Sequence, residues 1–197
     1  VAEAFCEAAD RIEASDNVEK AVHDLIKEYM TAHRRIIFNG DGYSEAWVKE
    51  AARRGLPNID NMVDTVEVLT KDKSVKLFER FGIFTKAELE SRAEILYETY
   101  SKTINIEAKT MLAMSKQQIV PAVLKYQKTL AETVYFTRQI GMDATVSEEL
   151  LLAVAELLKE TKTSIDTLQE VADTAKTLAD GKDKAVYYRD KVTTAMK

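Results

Sequence analysis

The residues that could do chemistry in this sequence are few and widely spaced. Only two histidines are present, His23 and His33, ten positions apart. A helical metal site aims two imidazoles at one ion by placing them four apart, and this pair does not. No Glu-x-x-His occurs either, so the ligand pattern of a di-iron helical bundle is missing. The single Cys6 follows Phe5 on an apolar helical face and is expected to be an inert, buried thiol with no base beside it. Met111 and Met114 share one helix, where they could line a pliant groove, although core is the simpler reading. The segment Asn39-Gly40-Asp41-Gly42-Tyr43-Ser44 is the one suggestive loop. Two glycines before a helix start could leave amide hydrogens facing an anion. The loop lacks the lysine and spacing of a phosphate loop, and a turn closed by a Ser44 N-cap explains it as well. His33, Arg34 and Arg35 form a small basic cluster where a helix ends, which complements the helix dipole. These residues therefore nominate no catalytic residue, no cofactor-binding residue and no metal ligand.

The elements that would position these groups are helices. Six glycines and two prolines stand in 197 residues, well below the usual shares of about 7% and 5%. An all-β chain needs more turns than that supplies. The class expected is all-α, an elongated helical bundle with a long antiparallel helical hairpin and over half its residues helical. Val1, Phe5, Ala8 and Ile12 share one face. A second helix is expected to open on a capping box of Asp16 and Glu19, and a short one on Ser44 up to Arg54. Residues 56–73 have weak periodicity and read as loop with at most a turn of helix, followed by a short helix over 74–81. Thr85 with Glu88 makes a second capping box, with Phe84 and Leu89 as a hydrophobic staple. The helix after it should bury Leu89, Ala93, Leu96, Tyr100, Ile104, Ala108 and Met111. Pro121, lacking an amide hydrogen, should bend or break that helix near Gln117. Gly141 then marks the hairpin turn, and Thr145 with Glu148 a third capping box. The returning helix carries a three-four seam through Leu151, Val154, Leu158, Thr161, Ile165, Leu168, Ala172, Ala175 and Ala179. After Gly181 a last helix presents Ala185, Tyr188, Val192 and Ala195.

Composition narrows the class of partner. With 28 basic and 33 acidic side chains the net charge is −5, and no basic excess points to nucleic acid. The longest apolar run, Leu150 to Ala155, is far short of the roughly 20 residues that span a bilayer, so no membrane partner is expected. One cysteine permits no internal disulfide, which suits a reducing, cytoplasmic compartment. A chain opening on Val1 inside an amphipathic pattern reads as a piece of a longer polypeptide.

The stretch running from Arg35-Ile36-Ile37-Phe38-Asn39-Gly40-Asp41-Gly42-Tyr43-Ser44 through Glu45-Ala46-Trp47-Val48-Lys49-Glu50 to Ala51-Ala52-Arg53-Arg54-Gly55-Leu56-Pro57-Asn58 resembles a segment late in type III glutamine synthetases, the large bacterial class of that enzyme. Phe84-Thr85-Lys86-Ala87-Glu88-Leu89-Glu90-Ser91-Arg92-Ala93-Glu94 resembles the same family, as do Val123-Leu124-Lys125-Tyr126, Leu130-Ala131 and the opening Val1-Ala2-Glu3-Ala4. The resemblance implies the C-terminal helical region of an ATP-dependent glutamate–ammonia ligase of nitrogen metabolism, acting through a γ-glutamyl phosphate. It implies ATP and Mg²⁺ or Mn²⁺ for the whole enzyme and none in this fragment. The metal-holding glutamates, phosphate-handling arginines and ammonia-site flap would lie upstream of Val1, and the family's aromatic-rich last segment would lie beyond Lys197. The chain is then one helical domain over 1–197. Within it, 1–38 continue from the catalytic domain and 39–83 hold short helices and loops. Residues 84–180 form the hairpin and 181–197 the terminal helix. Its partners would be the rest of its own chain and neighbouring subunits of a ring-shaped homo-oligomer. The fragment alone is expected to be inactive; a stand-alone helical interaction module is the alternative.

Overall fold

Long apolar stripes with few chain-breaking residues fold as expected into helices and nothing else. The structure, a computed structural model, describes residues 1–197, is 79% helical and has no strand. The chain forms two compact units, one of residues 1–61 and 76–83, the other of residues 62–75 and 84–197.

The first unit holds α1 (Ala2–Glu13), α2 (Val18–Ala32), a 3-10 turn (Arg34–Ile36) and α3 (Glu45–Arg53). α1 and α2 pair, and the Arg11 guanidinium donates to both Glu28 oxygens across them. The cap of α2 is Asn17 rather than Asp16: the Asn17 side chain accepts from the Lys20 amide at 3.0 Å. Asn and Asp cap equally well, so spacing alone placed it one residue early. The expected cap at Ser44 forms, accepting from the Trp47 amide. Only Leu25 and Ala51 are buried in this unit.

The second unit carries the core. Helix α4 (Met62–Leu69) lies where loop was expected. Its Val63 and Val66 are 1% exposed and pack with Ala93, Tyr97 and Ala185. A two-residue face makes too short a stripe to show periodicity, so burial against other helices overrides the weak local signal. Helix α5 (Asp72–Arg80) follows and runs from this unit into the first. Lys182 Nζ donates to Glu67 at 2.7 Å and Arg189 Nη1 to Asp64 at 2.6 Å, tying α4 to the terminal helix.

Helix α6 (Lys86–Met114) opens on the expected capping box, with Thr85 and Glu88 each accepting from the other's amide. It buries Leu89, Ala93, Tyr97, Ser101, Ala108 and Leu112. Of the expected stripe, Leu89, Ala93 and Ala108 are buried and Leu96, Tyr100 and Ile104 pack partly buried against the core; Met111 is exposed, and Tyr97 and Leu112 are buried beside the stripe. Pro121 does not break the helix. A π turn (Ser115–Ile119) joins α6 to α7 (Val120–Gln139), with the Val120 amide reaching back to the Ser115 carbonyl. Widening by one residue lets the ladder pass the missing proline donor without interruption.

Gly141, at φ +76°, ends α7: its amide bonds to the Arg138 carbonyl and the Met142 amide to that of Thr137, a Schellman closure. Helix α8 (Thr145–Lys176) returns antiparallel against α7. Its expected capping box does not form. Asp143 Oδ1 accepts from the Thr145 amide at 3.0 Å instead, and Glu148 pairs with Arg138. α9 (Lys182–Tyr187), a second π turn (Tyr188–Val192) and α10 (Thr193–Ala195) close the chain, burying Ala185, Tyr188 and Val192 as expected. Ala108, Leu112, Ile165, Leu168, Ala175, Tyr188 and Val192 form the main cluster.

Leu168 is 3% exposed in this cluster, whereas Leu158 is only half-buried. Leu168→Ala should lower stability by about 2–5 kcal/mol and Leu158→Ala by clearly less, read from urea midpoints. Equal losses, or none, would contradict the core as described.

Candidate functional site

The Asn39–Ser44 loop is folded around its own aspartate. Asp41 Oδ1 accepts from the Tyr43 amide at 2.9 Å, and the Asp41 carbonyl accepts from the Ser44 amide and hydroxyl. Two amides that could have faced an anion are thereby used, which leaves the turn-and-cap reading of the loop. Gly40 is required for a steric reason: a Cβ there would lie 2.7 Å from the Phe38 ring.

The groups that do converge lie beside this loop. Phe38 packs on Trp47 of α3 with ring centroids 4.5 Å apart. The Arg54 guanidinium lies 5.9 Å from each of those rings. Its Nη1 donates to the carbonyls of Arg35 at 3.1 Å and Ile37 at 2.7 Å, clamping the segment after α2 to the end of α3. Arg53 and Arg54 both donate to Glu50, at 2.6–2.7 Å. Hydrogen bonds from Arg53 and Arg54 hold the Glu50 carboxyl down at about 2, because they favour its charged form. The result is an open cleft of about 1050 Å³ lined by Arg34, Arg35, Arg53, Arg54, Asn39 and Ile37, among others. In the sequence Arg34 and Arg35 stand out as a basic cluster at a helix end, whereas Arg53 and Arg54 do not. The available signal was a repeated Arg-Arg, each at a helix end, separated by a loop and one short helix.

The other sequence candidates stand apart. Cys6 is exposed, not buried, because the face it shares with Phe5 meets too little of this chain. His23 and His33 are both exposed, and His33 meets only the edge of Tyr29. No three His, Cys, Asp or Glu side chains gather where they could hold a metal ion. Met111 and Met114 are exposed rather than core. With Ile106, Ile119 and Met196 they line a shallow apolar groove. No helix is long and apolar enough to cross a membrane.

A larger apolar surface lies on the hairpin. Along α7 and the first half of α8 only Leu130 is buried, while Phe136, Val146, Leu152 and Leu157 are 62–70% exposed.

Fold and surfaces together define an all-α domain whose core centres on α6, α8 and the terminal helix, with a two-helix hairpin leading away from it. Its sequence matches the family profile of the glutamine synthetase C-terminal domain over residues 21–138. It is 34% identical over 189 residues to a glutamine synthetase of Butyrivibrio fibrisolvens, covering 93% of this chain and 26% of that protein. A Type-3 glutamine synthetase of Dictyostelium discoideum is 39% identical over 116 residues, 59% of this chain and 16% of that one. A glutamine synthetase of Bacteroides fragilis (strain YCH46) is 29% identical over 180 residues, covering 88% and 25%. The chain belongs to the glutamine synthetase C-terminal domain family, in the helical region of its type III members. It spans about a quarter of the length of the Butyrivibrio and Bacteroides relatives.

The Glu50 ion cluster yields a pH expectation. Its carboxyl is depressed from 4.5 to about 2, so its stabilising contribution is complete above about 4.5 and fades as pH falls towards 2. Carbon-detected NMR should place the Glu50 midpoint near 2, and Arg53→Ala should move it upward. A midpoint near 4.5 in the unaltered chain would mean the two arginines do not hold it.

Proposed function

We propose that this domain serves assembly of an ATP-dependent glutamate–ammonia ligase, its hairpin resting on a neighbouring subunit of a ring-shaped homo-oligomer. The parent enzyme would work in the cytoplasm in glutamine biosynthesis, with ATP and Mg²⁺ or Mn²⁺ held by residues outside this chain. The 197 residues alone would be inactive. The observation that carries the reading is the hairpin, where α7 and the distal half of α8 bury almost nothing but Leu130. The narrow three-four seam of α8 occupies one side of that helix, so apolar residues on its other sides need a second surface. The first unit supports the same view. It buries only Leu25 and Ala51 and leaves Phe5, Val18 and Ile26 exposed, which fits a surface laid against the rest of its own chain.

The full-length protein carrying Leu152→Glu and Leu157→Glu tests this. Burying each leucine is worth about 1.5–3 kcal/mol, so charging both should weaken assembly by far more than about tenfold. Light scattering should show a fall in oligomer mass, with helical content unchanged by circular dichroism. An unchanged mass would remove the hairpin from assembly.

A further inference from the structure

We propose that the cleft between the ends of α2 and α3 binds a small phosphate-bearing ligand without a metal ion, a site distinct from the assembly surface above. Four arginines, Arg34, Arg35, Arg53 and Arg54, are among the residues that line this cleft. One carboxylate, Glu50, is engaged by Arg53 and Arg54 together. Arg34 and Arg35 carry no ion pair or side-chain hydrogen bond, whereas each of the other seven arginines meets a carboxylate or an aromatic ring. In a chain of net charge −5, two unengaged arginines beside a pair that shares a single carboxylate make a local excess of positive charge.

The wall that presents them is fixed. Arg54 holds the Arg35 and Ile37 carbonyls, and it lies over the Phe38 and Trp47 rings, which pack on each other. Two adjacent planar guanidiniums, each a fork of donors, match the oxygens of a phosphate dianion better than a single carboxylate. Asn39 and Thr31 add polar residues to the lining, and Met30 and Ile37 add apolar surface for an attached organic group. The volume of about 1050 Å³ admits a small metabolite with room for water.

Hydrogen–deuterium exchange on the full-length protein, with a chelator present and ionic strength held constant, locates binding by peptide. The probes are orthophosphate, pyrophosphate and phenyl phosphate, with chloride as the matched control. Pyrophosphate is expected to slow exchange over residues 33–39 and 50–55, with half-saturation at about 1 mM or below. Phenyl phosphate should exceed orthophosphate, since its ring can lie on Met30 and Ile37. Equal protection by the two would assign recognition to the phosphate alone and still support the site. Arg34→Gln with Arg35→Gln should weaken the effect by about tenfold or more, through loss of charge-assisted hydrogen bonds. These side chains hold nothing else in the fold, so the thermal midpoint should not move. Arg34→Lys with Arg35→Lys should restore only part of the affinity. No protection in these segments at about 10 mM pyrophosphate, or equal protection by chloride at matched ionic strength, would overturn the proposal. So would an undiminished effect in the glutamine variant.

Discussion

The complete enclosure of one alanine on each of three helical stretches is the constraint on which the second unit depends. Ala108 of α6, Ala175 of α8 and Ala185 of α9 are each completely buried. Side-chain size at the crossing sets how near two helices can come, and alanine allows the shortest distances. Around these crossings the larger groups fit: Leu112, Leu168, Tyr188 and Val192 pack around Ala108 and Ala175, and Val63, Val66 and Tyr97 around Ala185. A larger side chain at any of the three alanines would push a backbone outward and loosen every contact that follows along that helix. The hairpin is anchored through the same crossings, because α8 enters the core only in its second half.

What the sequence disclosed tracks how local each signal is. The Thr85–Glu88 box, the Ser44 cap and the Gly141 turn involve residues within five positions, and all three form. The Thr145–Glu148 box has the same spacing but fails, since Asp143 competes for the Thr145 amide and Arg138 across the turn takes Glu148. Helix α4 was invisible for the converse reason. Its stability lies in Val63 and Val66 against α6 and α9, and in ion pairs to Lys182 and Arg189 more than a hundred positions away. Pro121 likewise shows a local rule meeting tertiary demand. The missing donor was legible, but its accommodation by a π turn depends on packing continued on both sides, by Leu112 before it and Leu130 after.

The basic cleft shows the same division within a site. Each Arg-Arg pair, read singly, has a sufficient explanation in a helix C-terminus. Their meeting depends on Phe38 packing on Trp47 and on Arg54 reaching two carbonyls seventeen and nineteen residues back. The Asn39–Ser44 loop contributes chiefly by turning the chain so that both pairs line one cleft. Glycine content pointed to the right neighbourhood for the wrong reason: Gly40 makes room for Phe38, and the charges lie on either side of the loop.

Helix α8 carries one seam from end to end, yet its burial changes steadily along it. Leu151, Val154 and Leu158 are half-buried, Ile165 and Leu168 are 5% and 3% exposed, and Ala175 is fully enclosed. The periodicity is uniform, so the gradient cannot come from the helix itself. It follows the neighbours: the first half of α8 packs on α7, while the second half lies among α6 and the terminal π turn. Apolar spacing therefore specifies which face of a helix wants burial but not how many partners will supply it. Where one chain supplies a single partner, as along 145–160, the remaining apolar side chains measure the surface still to be covered. Leu152 and Leu157 lie on that uncovered side, in the half of α8 away from the buried alanines.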